Sequence, residues 1–219
     1  METALGELTE IVRIPSPAPA PQALACDGER LWLGSWETSR FYGLDPHQGR
    51  ILEEWSAPGR PVGATCLGDE VRVVCSESAD SRFIRRFIPG HGFKSSEPIP
   101  CPDDTGSFLA FDGTRLWLSQ RHKKCILELD GAYHPLRELV IGEEITGFCR
   151  LGARLYLALW FGRGRGGSRI AWIEPDAARP QLAIAAQSPF VAVSLAHDGT
   201  RFWTNDFKQD SIVAFTLPE

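Results

Sequence analysis

Five segments of this 219-residue chain follow one grammar: LACDGERLWLGSW from Leu24, ATCLGDEVRVVCS from Ala64, LAFDGTRLWLSQ from Leu109, FCRLGARLYLAL from Phe148 and LAHDGTRFWTND from Leu195. Each reads as an apolar strand, a tight turn at glycine and a second strand of alternating large residues. Alignment on Gly28, Gly68, Gly113, Gly152 and Gly199 places Trp32, Trp117, Tyr156 and Trp203 at one position, with Arg72 as the exception. After each hairpin come a variable polar loop and a third strand: SRFYGLDP, SRFIRRFIPG, KCILELDG, SRIAWIEPD and DSIVAFTLP. Four of these end in Asp-Pro, Pro-Gly, Asp-Gly or Glu-Pro, where proline and glycine supply turn dihedrals. Fourth strands follow, as in ILEEW, LRELVIG and QLAIAAQ.

Repeats of four antiparallel strands, roughly 40 to 47 residues apart, have the spacing of β-propeller blades. The chain ends after the third strand of its fifth unit, while its start, ELTEIVRIPSP, has the character of an orphan fourth strand. Pairing Leu8 to Ile14 with Ser211 to Leu217 would close the ring and leave no exposed edge. The expected fold is therefore all-β: a five-bladed propeller in one domain, residues 1–219, completed by the N-terminal strand. A sandwich or an open β-solenoid is the alternative, but neither requires the missing strand to reappear at the other terminus.

Composition narrows the function classes. A net charge of −5 offers no broad field for phosphate backbones, so nucleic acid is not an expected partner. No apolar run reaches membrane-spanning length and no secretory signal opens the chain, which points to a cytoplasmic monomer. The six cysteines form no Cys-x-x-Cys pair and read as buried free thiols, Cys26 and Cys66 at one aligned packing position.

In a propeller, the loops joining strands two and three and those joining consecutive blades gather on one face around the channel mouth, where ligands bind. Here these loops bring carboxylates: Glu37, Glu77 with Asp80, Asp103 with Asp104, Glu143 with Glu144, and Asp206 with Asp210. Carboxylates near a desolvated channel can have their pKa values driven apart, as acid/base catalysis requires, or could hold a divalent cation; charged loop residues are more often simply solvated. Glu37 and Glu77 share one aligned position just after strand two and are the first candidates for acid and base. His122 takes that position in the third repeat, preceded by Arg121, and with Asp206 is a candidate assistant. Trp36 and Trp160 precede that position in their own repeats and could wall a ligand, although packing between blades is an equal use for tryptophan. Arg121, Arg163 and Lys208 complete the substrate-binding candidates.

Gly162, Gly164 and Gly167 fit the spacing G-x-G-x-x-G, but a strand follows instead of a helix, so no dinucleotide cofactor is inferred. No Walker, zinc-binding or G-x-S-x-G motif is present, and no cofactor is expected.

Segments such as DGERLWLGSWETSRFYGLDPHQGRILEEW and DGTRLWLSQRHKKCILELDGAYHPLREL resemble the blades of glutamine cyclotransferase-like and virginiamycin B lyase-like propellers. The number of blades is nearer the cyclotransferase group, and the resemblance implies acid/base catalysis without organic cofactor. The Phe-Thr-Gln-Gly-Leu start of that group's first blade is replaced here by PAPAPQALACDG, so no catalytic residue carries over. The expected function is a small-molecule-binding propeller with lyase- or cyclase-type chemistry on a small-molecule or peptide ligand. The alternative is a non-catalytic module that binds a ligand or another protein.

Overall fold

The computed structural model describes residues 5–78, 81–95, 98–160 and 167–218. The opening strand β1 (Thr9–Pro15) joins the last of five antiparallel sheets. Blade one is β2 (Pro21–Cys26), β3 (Leu31–Ser35), β4 (Arg40–Leu44) and β5 (Ile51–Ser56). Blade two is β6 (Arg60–Leu67), β7 (Glu70–Ser76) and β8 (Arg82–Ile88), its outer position shared by two short pieces, β9 (Gly92–Phe93) and β10 (Ile99–Pro100). The split follows from the local sequence IPGHGFKSSEPIP, whose prolines and glycines cannot sustain a continuous ladder. Blade three is β11 (Leu109–Phe111), β12 (Leu116–Gln120), β13 (Cys125–Leu129) and β14 (Pro135–Val140). Blade four is β15 (Glu144–Leu151), β16 (Arg154–Trp160), β17 (Ser168–Ile173) and β18 (Ala183–Ser188). Blade five is β19 (Ala192–His197), β20 (Phe202–Asp206) and β21 (Ser211–Thr216), completed by β1 with Ile14 opposite Ile212 and Thr9 opposite Thr216.

The first strands of the blades, β2, β6, β11, β15 and β19, each neighbour the next, and β19 returns to β2. Ser194 seals that junction, its hydroxyl accepting the Leu24 N–H at 3.0 Å. The core is correspondingly divided into five clusters, one between each pair of neighbouring blades. Trp32, Trp117 and Trp203 are fully buried in three of them, each contributing about 4 to 6 kcal/mol of apolar burial. In the fourth blade Tyr156 meets Phe202 across the seam, ring centroids 4.9 Å apart. Arg72, the exception in the repeat, keeps the seam with polar chemistry: its Nε donates to Tyr133 Oη of blade three at 2.9 Å and its Nη1 to Glu70 at 2.5 Å.

The Asp-Gly turns do more than reverse the chain. Asp198 Oδ1 accepts the backbone N–H groups of Thr200 and Arg201, and Oδ2 accepts the indole N–H of buried Trp203 at 2.7 Å. Asp27 holds Trp32 in the same way at 2.7 Å, and Asp112 reaches Trp117 at 3.4 Å. An arginine covers each of these indoles, Arg30, Arg115 and Arg201 lying 5.9, 5.2 and 4.7 Å from the ring centroids. Turn, indole and cation thus form one recurring unit that ties a surface turn to the seam.

Among the described residues no helix is long and apolar enough to cross a membrane.

Candidate functional site

Two faces of the ring are chemically distinct. On the face formed by the strand-two-to-three loops, here called the upper mouth, two adjacent cavities of about 250 and 220 Å³ share Gln22, Arg121 and Phe207 as common walls. Two rings of residues build them. The inner ring comes from the first strands of four blades, Gln22, Val62, Thr146 and Val193, and in blade three from Ser107, two residues before β11. Irregularities in β2, β6 and β15, between Pro21 and Ala23, Pro61 and Gly63, and Ile145 and Gly147, skip Gln22, Val62 and Thr146 in the ladder. β-Bulges re-aim side chains in this way and turn what would be blade-packing positions toward the channel.

The outer ring comes from the position where strand two gives way to its loop: Trp160 is the last residue of β16, Trp36, Arg121 and Phe207 immediately follow β3, β12 and β20, and all four line the cavities. Its backbone is anchored to the preceding inter-blade loop, Trp36 N–H donating to Ala20 O at 3.0 Å and Phe207 N–H to Val191 O at 3.2 Å. Three aromatic rings and one guanidinium therefore border the two cavities.

The electrostatics of this mouth are positive in a chain of net charge −5. Arg82, at the start of β8, lies 5.8 Å over the Trp36 ring and donates to Gly106 O at 3.0 Å; among the described residues it pairs with no carboxylate. Burial lowers its pKa; Cys101 opposes that shift, and the neighbouring Arg121 adds a smaller push in the direction of burial. Arg60 covers Trp36 at 5.1 Å, and Arg121 covers Trp160 at 5.6 Å while donating through Nε and Nη2 to Glu144 at 3.2 and 3.0 Å. His122 lines the cavity of Arg82 and Trp36, and Lys208 lines that of Trp160.

Of the residues singled out from sequence, Trp36, Arg121, His122, Trp160 and Lys208 thus come together at the mouth. The carboxylates do not converge with them. Glu77 forms an ion pair with Arg85 at 2.5 Å and Glu37 is exposed; neither lines the two cavities. Asp206 is fully buried and bonded to Arg13 Nη1 at 2.8 Å, an ion pair that fastens β1 to blade five. Asp103 pairs with Lys123 at 2.6 Å, and Asp210 accepts the Ala20 N–H at 2.8 Å. Among the described residues no cluster of His, Cys, Asp or Glu is arranged to hold a metal ion. Arg163, Asp80, Gly162 and Gly164 lie outside the described residues, and the segment after them is strand β17, not a helix.

Gln22, Phe207 and above all Arg82 belong to the mouth and went unmarked in the sequence. A signal for Arg82 exists: Ser-Arg recurs at the start of strand three in blades one, two and four, placing Arg40, Arg82 and Arg169 at one aligned position. Asn205, beside Asp206, is fully buried, and neither atom of its amide has a partner among the described residues.

The opposite mouth is smaller, about 120 Å³, and one aligned position from each blade lines it: Cys26, Cys66, Phe111, Arg150 and His197. Cys26 and Cys66 therefore border the channel as well as packing between blades. Burial pushes the Cys26 thiol up to about 11 and that of Cys66 higher still, so both stay protonated and poorly nucleophilic near neutrality. All six cysteines are free.

No family model and no curated protein matches the chain. Solved structures do match at the level of fold. Glutaminyl cyclase from Myxococcus xanthus superposes with a TM-score of 0.70 at 9% identity, covering 96% of both chains. Virginiamycin B lyase from Staphylococcus aureus gives 0.58 at 12% identity over 94% of this chain and 99% of its own. The PQQ-bound aldose sugar dehydrogenase from Streptomyces coelicolor gives 0.58 at 14% identity over 99% of each. The resemblance to cyclase and lyase propellers holds for the architecture, and enzymes of three chemistries share it.

Proposed function

We propose that this propeller binds a small molecule or peptide at the upper mouth and carries out lyase- or cyclase-type proton transfer there. The observation that carries this is the convergence of Trp36, Arg82, Arg121, His122 and Phe207 on a cavity of about 220 Å³. Aromatic walls supply area with few rotatable bonds, fixed cations orient a polar group, and histidine is the side chain suited to proton exchange near neutrality. His122 takes the acid/base role in this proposal, since Glu37 and Glu77 stand away from the cavities. Arg121 and Arg82 are positioned to stabilise negative charge that develops beside it.

The fold does not choose among chemistries, and cyclase, lyase and dehydrogenase among the neighbours make that concrete. A non-catalytic binding module is the second reading. It is favoured by the engagement of Glu77, Asp103, Glu144 and Asp206 in ion pairs, which leaves the mouth poor in free carboxylates.

A thermal-shift panel of amino-terminal glutamine peptides, cyclic depsipeptides and small organic acids tests both. A ligand selective for the folded state raises Tm by mass action, and Trp36→Ala with Trp160→Ala should abolish the rise. With a ligand in hand, His122→Gln should remove turnover and keep binding. Turnover that survives His122→Gln rules out the catalytic assignment; a panel in which nothing shifts Tm, or shifts that the tryptophan variants leave intact, rules out the site.

A further inference from the structure

Resting on the upper mouth as the ligand site, we propose that its ligand is an organic acid. Its oxyanion, a carboxylate or a phosphate, sits between Arg82 and Arg121, and its apolar body runs toward Phe207 and Trp160.

The two guanidiniums line the same cavity of about 220 Å³. Like charges held together in a partly desolvated site repel, and an anion between them converts that repulsion into two attractions. Arg82 is the more telling of the two. Its hydrogen bond goes to a neutral carbonyl, Gly106 O, and its face rests on Trp36, so its charge is uncompensated among the described residues. Arg121 spends the edge formed by Nε and Nη2 on Glu144, with Nη1 in no hydrogen bond to a described residue. Cation–π contacts with Trp36 and Trp160 and hydrogen bonds to Gly106 O and Glu144 restrain both side chains before any ligand arrives, which lowers the entropic cost of recognition.

The remaining walls define the other end of the molecule. Phe207 and Arg121 border both cavities, and beyond them Trp160, Val191 and Val193 make an apolar surface. An acid with a short aromatic or aliphatic body would span the two cavities, its charge on the Arg82 side. Lys208 stands on the far side and admits a second polar group there.

The test is calorimetric titration of the full chain with three molecules of matched body: phenylpropionate, phenylethyl phosphate and phenylpropanamide. Either acid should bind at least about tenfold more tightly than the neutral amide, because charge-assisted pairs are about twice as strong as neutral ones. Added salt should weaken the acids and leave the amide unchanged. Arg82→Gln and, independently, Arg121→Gln should erase the preference for acids, Arg82→Lys should retain part of it, and Trp160→Ala should weaken all three alike. Melting curves for each variant show that loss of binding is not loss of fold. Preference for either acid supports the inference, and the better acid identifies the oxyanion. Equal binding of acids and amide, weakened by Trp160→Ala, overturns the anion and leaves the site standing. Acid binding indifferent to Arg82, Arg121 and Trp160, or no binding of any of the three at millimolar concentration, overturns both.

Discussion

Replacing Asp198 by alanine should cost this propeller about 3 kcal/mol, and the structure says where the loss falls. Asp198 Oδ1 accepts from the Thr200 N–H at 2.9 Å, the Thr200 hydroxyl at 2.7 Å and the Arg201 N–H at 2.9 Å. Oδ2 accepts from Arg201 Nε at 3.0 Å and Trp203 Nε1 at 2.7 Å. The turn is exposed, so water can take over the first three partners, and their net loss is about 1 kcal/mol. Trp203 is fully buried, and its orphaned indole N–H costs about 2 kcal/mol more. For a chain of this length that lowers Tm by about 6 to 12 °C.

Coupling isolates the indole contribution. Trp203→Phe removes the N–H, so in a double-mutant cycle Asp198→Ala should cost about 1 to 2 kcal/mol less in the Trp203→Phe background. Proton linkage adds a second signature. Burial alone would raise the Asp198 pKa, but hydrogen bonds from Thr200, Trp203 and Arg201 outweigh it and hold the group well below the usual carboxylate range. A depressed folded-state pKa means the stabilisation is complete above the unfolded pKa of about 3.9 and is lost as pH falls through the folded value. The gap between wild type and Asp198→Ala, read by urea unfolding with circular dichroism, should therefore be constant from neutrality to about pH 5 and narrow at lower pH. A wild-type-like melt for Asp198→Ala, or strict additivity with Trp203→Phe, would refute the idea that the turn is tied to the seam through this carboxylate.

Arg13→Met should destabilise the protein by about 3 kcal/mol because it strands the fully buried Asp206 carboxylate, and adding Asp206→Leu should restore most of the loss in urea titration. Gly147→Ala should lower stability by about 1 to 3 kcal/mol, since the added Cβ would lie 2.3 Å from the Ser194 carbonyl carbon on the next blade; a neutral effect would contradict the close inner-strand approach. Asn205→Leu should raise stability by about 1 kcal/mol by removing a buried amide that has no partner among the described residues, and a destabilised variant would mean that this amide is satisfied in solution.

The ring could be read in advance because its determinants are local and repeated. A glycine at a positive-φ turn, as at Gly28 (φ 96°) and Gly199 (φ 98°), followed by an alternating strand carrying Trp32 or Trp203, needs no distant information to be recognised. The pairing of β1 with β21 followed from counting strands, since a closed ring cannot tolerate an unpaired edge. The same repetition located Trp36, Arg121, His122, Trp160 and Lys208 near the mouth, because residues just after strand two occupy equivalent places in every blade.

The carboxylates escaped such a treatment because partners remote in sequence decide where a charge goes. Asp206 lies 193 residues from Arg13, and only ring closure brings the two together. Glu77 is held by Arg85 on the next strand of its own blade, and Glu144 by Arg121 of the neighbouring blade. Gln22, Val62 and Thr146 were equally hidden: the bulges that turn them toward the channel depend on how the inner strands crowd one another.

Hydrophobic period, turn chemistry and repeat number are properties of short stretches of chain, so the amino-acid order alone determined that five sheets form and how the ring is closed. Which side chains face a ligand, and whether the mouth presents acids or cations, depended on neighbours supplied by other blades. Electrostatics acts through space, and only the assembled ring sets those distances.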